Sequence, residues 1–239
     1  MLKTPEYLLA GFGLALLEGL MLAFWHVRIS RERREEDSGR TVLNALGFAL
    51  LPALATGLVF LAWTPMGRGT AQIEPLENVP WLTAEGRFMP CHVECILCLL
   101  CFAGVCAWLM ARKRQLPSDL WAVCLTLWAG IRLATESLHG NNPSVVKGIH
   151  TFWFAYSLVL IGTLLFWSVR AGRTGRNQRS ISWAVLLIAL AVVLLTGNRV
   201  LTTGSGMADL IVVFGGAALA VTANLTLRAE AQAEKENRA

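Results

Sequence analysis

A chain of 239 residues that is 55% hydrophobic and only 15% charged, with a mean hydropathy of +0.53, lies outside the range of soluble globular domains and reads as a polytopic membrane protein. The net charge of +5 sits largely on arginines in short segments beside apolar stretches. That is a topology signal, and no nucleic-acid partner is expected from it.

Seven apolar stretches, in chain order residues 7–27, 42–63, 91–110, 118–138, 149–169, 183–196 and 207–227, are candidates to cross a hydrocarbon core about 30 Å thick. The sixth is the shortest. The first is longer than a signal-peptide core and lacks both a basic leader and a small-residue cleavage site, so it reads as a retained span. Arg28, Arg31, Arg33, Arg34 and Arg40 follow the first stretch, Arg112, Lys113 and Arg114 the third, and Arg170, Arg173, Arg176 and Arg179 the fifth. The alternate connections carry only Arg68 and Arg87, then Lys147, then Arg199. This bias predicts an all-α bundle of about seven transmembrane helices with its N-terminus outside and its C-terminus inside.

The long outer segment 64–90 holds Pro65, Gly67, Gly69, Pro75 and Pro80, which rules out a continuous helix, and Val79-Pro80-Trp81-Leu82 is apolar enough to lie in the membrane interface. No internal repeat is visible. The chain therefore reads as one helical membrane domain over residues 1–228, followed by a polar tail at 229–239 that has good helix formers and no apolar face. Most of the nine tryptophans lie near span ends, as interfacial anchors do.

Five of the six cysteines, Cys91, Cys95, Cys98, Cys101 and Cys106, fall on one apolar helix and Cys124 on the next. They read as small core residues, since two cysteines on one helix are poorly placed for a disulfide. His92 and His150 at helix starts read as interfacial residues, and no metal or cofactor is expected. Gly11, Gly13, Gly215 and Gly216 suit close helix packing. Glu18, in the middle of the first span, reads either as a protonated, hydrogen-bonded side chain or as half of a charge pair.

The most informative residues are ionisable groups at membrane depth. Arg132, Glu136 and His139 stand at i, i+4 and i+7, so they share one face of the fourth span near its outer end. Glu94 lies about one turn into the third span, also at its outer end, and the short connection between these helices makes them antiparallel neighbours. The expectation is that both glutamates and Arg132 converge, because an uncompensated charge in hydrocarbon costs several kcal/mol. Two roles fit such a group: a polar ligand site, or an ion-pair cluster that fixes helix packing.

From Gly86 to Gly172 the chain resembles the C-terminal part of the bacterial phosphatidylglycerol:prolipoprotein diacylglyceryl transferases. That family has an R-H-P-S-Q-L-Y-E segment opening one helix and an F-R-x-x-x-E-x-x-R segment closing the next. Arg87 and Glu94 occupy the first and last positions of the former, and Ile131-Arg132 and Glu136 match the latter, with His139 at the second arginine. The basic turn Ala111-Arg112-Lys113-Arg114-Gln115 and the loop Gly140-Asn141-Asn142-Pro143 also look like their counterparts. Leu9-Ala10-Gly11 stands where the family has H-G-G. The family's G-R-I-G-N-F-I-N-G-E signature falls near Ala55-Thr56-Gly57-Leu58-Val59, without its arginine, asparagine or glutamate.

The resemblance implies a bacterial cytoplasmic (inner) membrane protein with an outer-leaflet pocket for phosphatidylglycerol or a similar anionic lipid. It assigns Glu94, Arg132 and Glu136 to catalysis and Arg87, His92, Arg132 and His139 to lipid binding, with a lipoprotein precursor as the acceptor thiol. Arginine suits the task because its planar fork makes bidentate contacts to phosphate. The alternative is a subunit that keeps the lipid pocket without the chemistry and serves binding or assembly with other membrane proteins. A haem or thiol electron-transfer protein is the third class.

Overall fold

A computed structural model of the chain describes residues 4–32, 38–62, 83–84, 87–111, 117–139, 145–146, 149–171, 176–203 and 207–238. Among the described residues are seven α-helices: α1 (Thr4–Glu32), α2 (Ser38–Ala62), α3 (Pro90–Ala111), α4 (Leu120–Thr135), α5 (Thr151–Arg170), α6 (Arg176–Thr203) and α7 (Met207–Arg238). Two short antiparallel ladders accompany them, β1 (Thr83–Ala84) with β2 (Arg87–Phe88) and β3 (Val145–Val146) with β4 (Ile149–His150). Much of the long outer segment, and the loop at 140–143, lies outside the described residues.

Among the described residues five helices are long and apolar enough to cross a membrane: Val42–Leu61, Pro90–Ala111, Phe152–Arg170, Asn177–Val200 and Met207–Ala233. One of these corrects the sequence reading. The sixth span is not a short one; Asn177–Val200 runs for 24 residues at the highest hydropathy of the set. Asn177, Arg179, Asn198 and Arg199 clip an apolar-run count at both ends, yet a helix carries polar residues at its ends without breaking. In α1 the apolar stretch is the shorter Ala10–Phe24. α4 has 16 residues, about 24 Å of helix, and the 3-10 turn Glu136–Leu138 adds about 6 Å. α7 continues unbroken past Arg228 into the polar segment.

Contacts gather the described residues into two compact units, one of those up to Trp128 and the other of those from Ala129 on. α4 is divided between them after Trp128. In the first unit α2 packs between α1 and α3. Pro90 opens α3, where a missing N–H costs nothing. Asn44 clamps α2 to the start of α4: its amide donates to the Pro117 carbonyl at 3.2 Å, and its oxygen accepts the Trp121 N–H at 3.1 Å. Gly47, one turn on, lies against the Trp121 backbone, so that no Cβ fits there. Phe48, Val105, Leu120 and Cys124 close the core of this unit. Thr56 of α2 donates a hydrogen bond to Glu18 of α1.

In the second unit α7 packs against α6 and α5. Its largely apolar interior also holds hydrogen-bonded polar groups. Asn224 accepts from the Thr163 hydroxyl at 2.8 Å and donates to the Leu160 carbonyl at 3.3 Å, while Leu158, Leu165, Val169, Ile188, Leu195 and Ile211 face outward. Large aliphatics facing outward around satisfied polar groups inside are the pattern of helices packed in lipid. All six cysteines are free thiols, with Cys91, Cys98 and Cys124 buried.

Candidate functional site

The second unit gathers Arg132, Glu136 and His139 on one face, as their spacing predicts, and adds Tyr156 from α5. α4 gives way at Thr135 to the 3-10 turn, whose last N–H bond runs from His139 to the Glu136 carbonyl at 3.2 Å. The Thr135 hydroxyl bonds back to the Ile131 carbonyl at 2.9 Å. Such back-bonding bends helices and suits a residue at the changeover. Thr135, Glu136, Ser137 and Leu138 are all buried, so the turn is anchored inside the unit.

Arg132 is the hub. Its Nε donates to the Tyr156 hydroxyl at 3.0 Å, one terminal nitrogen donates to Glu136 Oε2 at 3.4 Å, and the other lies 3.5 Å from His139 Nε2. The guanidinium carbon is 5.3 Å from the centre of the Tyr156 ring, which stacks on Phe152. The tyrosine bond is well formed. By contrast, 3.4 Å is long for a charge-assisted contact, whose usual length is about 2.7–2.9 Å. Glu136 therefore supplies counter-charge without holding the guanidinium in a tight fork.

Exposure divides the roles. The Glu136 side chain is wholly enclosed, whereas Arg132 keeps 24% of its side chain accessible. The arrangement is a cation presented to the outside and backed by a buried carboxylate, a buried phenol and a half-buried imidazole. Chemically it is suited to holding an anion with two or more acceptor oxygens.

Glu94 and His92 lie on the first turns of α3 in the first unit, Glu94 fully enclosed and His92 half-buried beside the small apolar cluster of Met89, Cys91, Leu58 and Leu61. Arg87 is placed by its backbone, which pairs with Ala84 in the first ladder; its side chain lies outside the described residues, as does that of His150. Among the described residues no three His, Cys, Asp or Glu side chains gather as a metal site.

Tyr156 is the site residue that sequence reasoning missed. A signal was present: the chain has only two tyrosines, and a phenol inside an apolar helix needs a hydrogen-bond partner. In comparison with known proteins, the chain matches no family model, no curated protein and no solved structure.

Proposed function

We propose that this chain is a multi-pass protein of the bacterial cytoplasmic membrane that binds the phosphate of an anionic phospholipid, phosphatidylglycerol or a close analogue, through Arg132 in the outer leaflet. Seven spans with an outside N-terminus and an inside C-terminus are part of the proposal. It draws on the arginine bias of the loops and on α4 with its 3-10 turn reaching roughly 30 Å.

One observation carries the reading: a partly accessible guanidinium with an enclosed carboxylate 3.4 Å behind it. A cluster used only to fix packing gains most by enclosing both charges at short range. Here the cation keeps an open side. A lipid phosphodiester offers two charged oxygens to that side, while the Tyr156 hydroxyl accepts from Nε and holds the guanidinium in place.

The resemblance to diacylglyceryl transferases adds a second reading, favoured by the match of Arg132 and Glu136 to the family's R-x-x-x-E spacing. In that chemistry a protein thiolate forms a C–S bond to the diacylglyceryl carbon, the C–O bond to phosphate breaks, and glycerol phosphate leaves with the electron pair. Arg132 would steady the charge on the leaving oxygens. Glu136, enclosed and turned to the guanidinium, suits positioning Arg132 better than accepting the thiol proton. The absent G-R-I-G-N-F-I-N-G-E residues favour binding without transfer.

Purified protein in mixed nanodiscs of phosphatidylglycerol and phosphatidylcholine tests the reading. Wild type is expected to enrich phosphatidylglycerol and Arg132→Ala to lose the enrichment. Rescue of lipoprotein maturation in cells depleted of their own transferase separates the two readings, since a binding protein enriches the lipid and fails the rescue.

A further inference from the structure

The cysteines of the first unit are arranged in pairs. Those of α3 follow its inward stripe: Cys91 and Cys98 are buried, and Cys95, Cys101 and Cys106 are half-buried. Cys91 and Cys95 stand at i and i+4, and Cys98 and Cys101 at i and i+3, so each couple sits side by side on the helix surface with Cβ atoms about 5–6 Å apart. Cys106 is too far along the helix from Cys101 for that relation and meets its neighbour on α4 instead. Cys124, buried in the same unit, lies within electrostatic reach of Cys106, and Cys106 packs against the apolar cluster that contains Cys124. Cys95 also adjoins Cys98, and Cys124 is also within reach of Cys101. Only the pairing 91 with 95, 98 with 101 and 106 with 124 leaves none of the six thiols over.

A pair of thiols on one helix is poorly placed for a disulfide. Among the described residues no three His, Cys, Asp or Glu side chains gather, which leaves no place for a zinc-type ion that takes four ligands. What two sulfurs without a third ligand offer is linear coordination, the preference of soft d10 cations such as Cu(I) and Hg(II). With metal–sulfur bonds of about 2.3 Å, a linear unit spans about 4.6 Å, which fits neighbours whose Cβ atoms are about 5–6 Å apart.

We infer that α3, together with Cys124 of α4, carries a row of two-sulfur sites for a soft d10 cation: Cys91 with Cys95, Cys98 with Cys101, and Cys106 with Cys124. Along α3 these are centred near Val93, between Leu99 and Leu100, and at Cys106, at intervals of about 10 Å. Loading a site forms two metal–sulfur bonds and releases both thiol protons to water. Two thiolates cancel the charge of Hg(II) and leave one negative charge with Cu(I), so a pair enclosed by apolar side chains favours the divalent ion. The inference does not rest on the lipid reading of Arg132.

The test uses the full chain, reduced, in nanodiscs of pure phosphatidylcholine. One arm is loaded with Hg(II), the other, without oxygen, with Cu(I) in competition with a Cu(I) chelator, and X-ray absorption counts the sulfurs around each bound ion. About three ions per chain with two sulfurs each are expected, and Cys95→Ala, Cys101→Ala and Cys106→Ala, all at half-buried positions, should each lower the loading to about two. Loading by Hg(II) alone assigns the sites to the divalent ion, and loading by Cu(I) against the chelator assigns them to both. One sulfur per ion, loading that the three variants leave unchanged, loading by neither ion, or Zn(II) held as tightly would overturn the proposal and leave the cysteines as packing residues.

Discussion

Replacing Glu136 by glutamine removes the counter-charge behind Arg132 while keeping side-chain shape. Removing one partner of a fully enclosed ion pair costs about 3–5 kcal/mol, whereas exposed pairs contribute about 0–1 kcal/mol. With one partner enclosed, the other 24% accessible and a separation of 3.4 Å, Glu136→Gln should cost about 1–3 kcal/mol in a zwitterionic bilayer. An anionic lipid that binds the folded state gives some of this back, about 2.7 kcal/mol when present at a hundred times its dissociation constant. Unfolding would be followed in nanodiscs of pure phosphatidylcholine and in nanodiscs containing phosphatidylglycerol. The expected pattern is a clear loss in the first and a partial recovery in the second. A variant as stable as wild type in phosphatidylcholine, or one that phosphatidylglycerol leaves just as impaired, would refute the reasoning.

Tyr156→Phe keeps the stacking on Phe152 and removes only the hydroxyl that accepts from Arg132 Nε; it should cost about 1.5–3 kcal/mol of stability, the usual range for a hydrogen bond to a charged group, and reduce phosphatidylglycerol enrichment. Equal stability and enrichment in wild type and variant would remove Tyr156 from the site. Gly47→Ala should destabilise by about 1–3 kcal/mol, since its methyl meets the Trp121 backbone, which has no rotamer to escape into. A denaturation midpoint at or above that of wild type would show that α2 and α4 are not in close contact there.

The helical membrane architecture was legible because apolar runs and arginine bias survive without knowledge of tertiary contacts. Span 183–196 was underestimated for a local reason: Arg179 and Asn198 interrupt hydropathy but not the helix. The face shared by Arg132, Glu136 and His139 followed from helical spacing, although the change to 3-10 geometry at Glu136 did not. Tyr156 lies 24 residues from Arg132 on another helix, and only packing brings the two together. The Asn44 clamp escaped notice similarly, since an asparagine in an apolar helix announces a partner without naming Pro117 and Trp121. The arginines after the fifth span read as topology signals, and the burial of Arg228 beside Trp167 has no counterpart in composition.

The central claim is that Arg132 binds an anionic headgroup, and mass spectrometry of the lipids retained by purified wild type, Arg132→Ala and Arg132→Lys tests it most directly. Loss of one charge-assisted contact, about 1.5–3 kcal/mol, corresponds to a tenfold or greater fall in preference for phosphatidylglycerol over phosphatidylcholine in Arg132→Ala. Arg132→Lys should recover part of it, because an ammonium keeps the charge and loses the fork. The same lipid ratio in all three proteins would contradict the account and leave Arg132, Glu136 and Tyr156 as a device for packing helices.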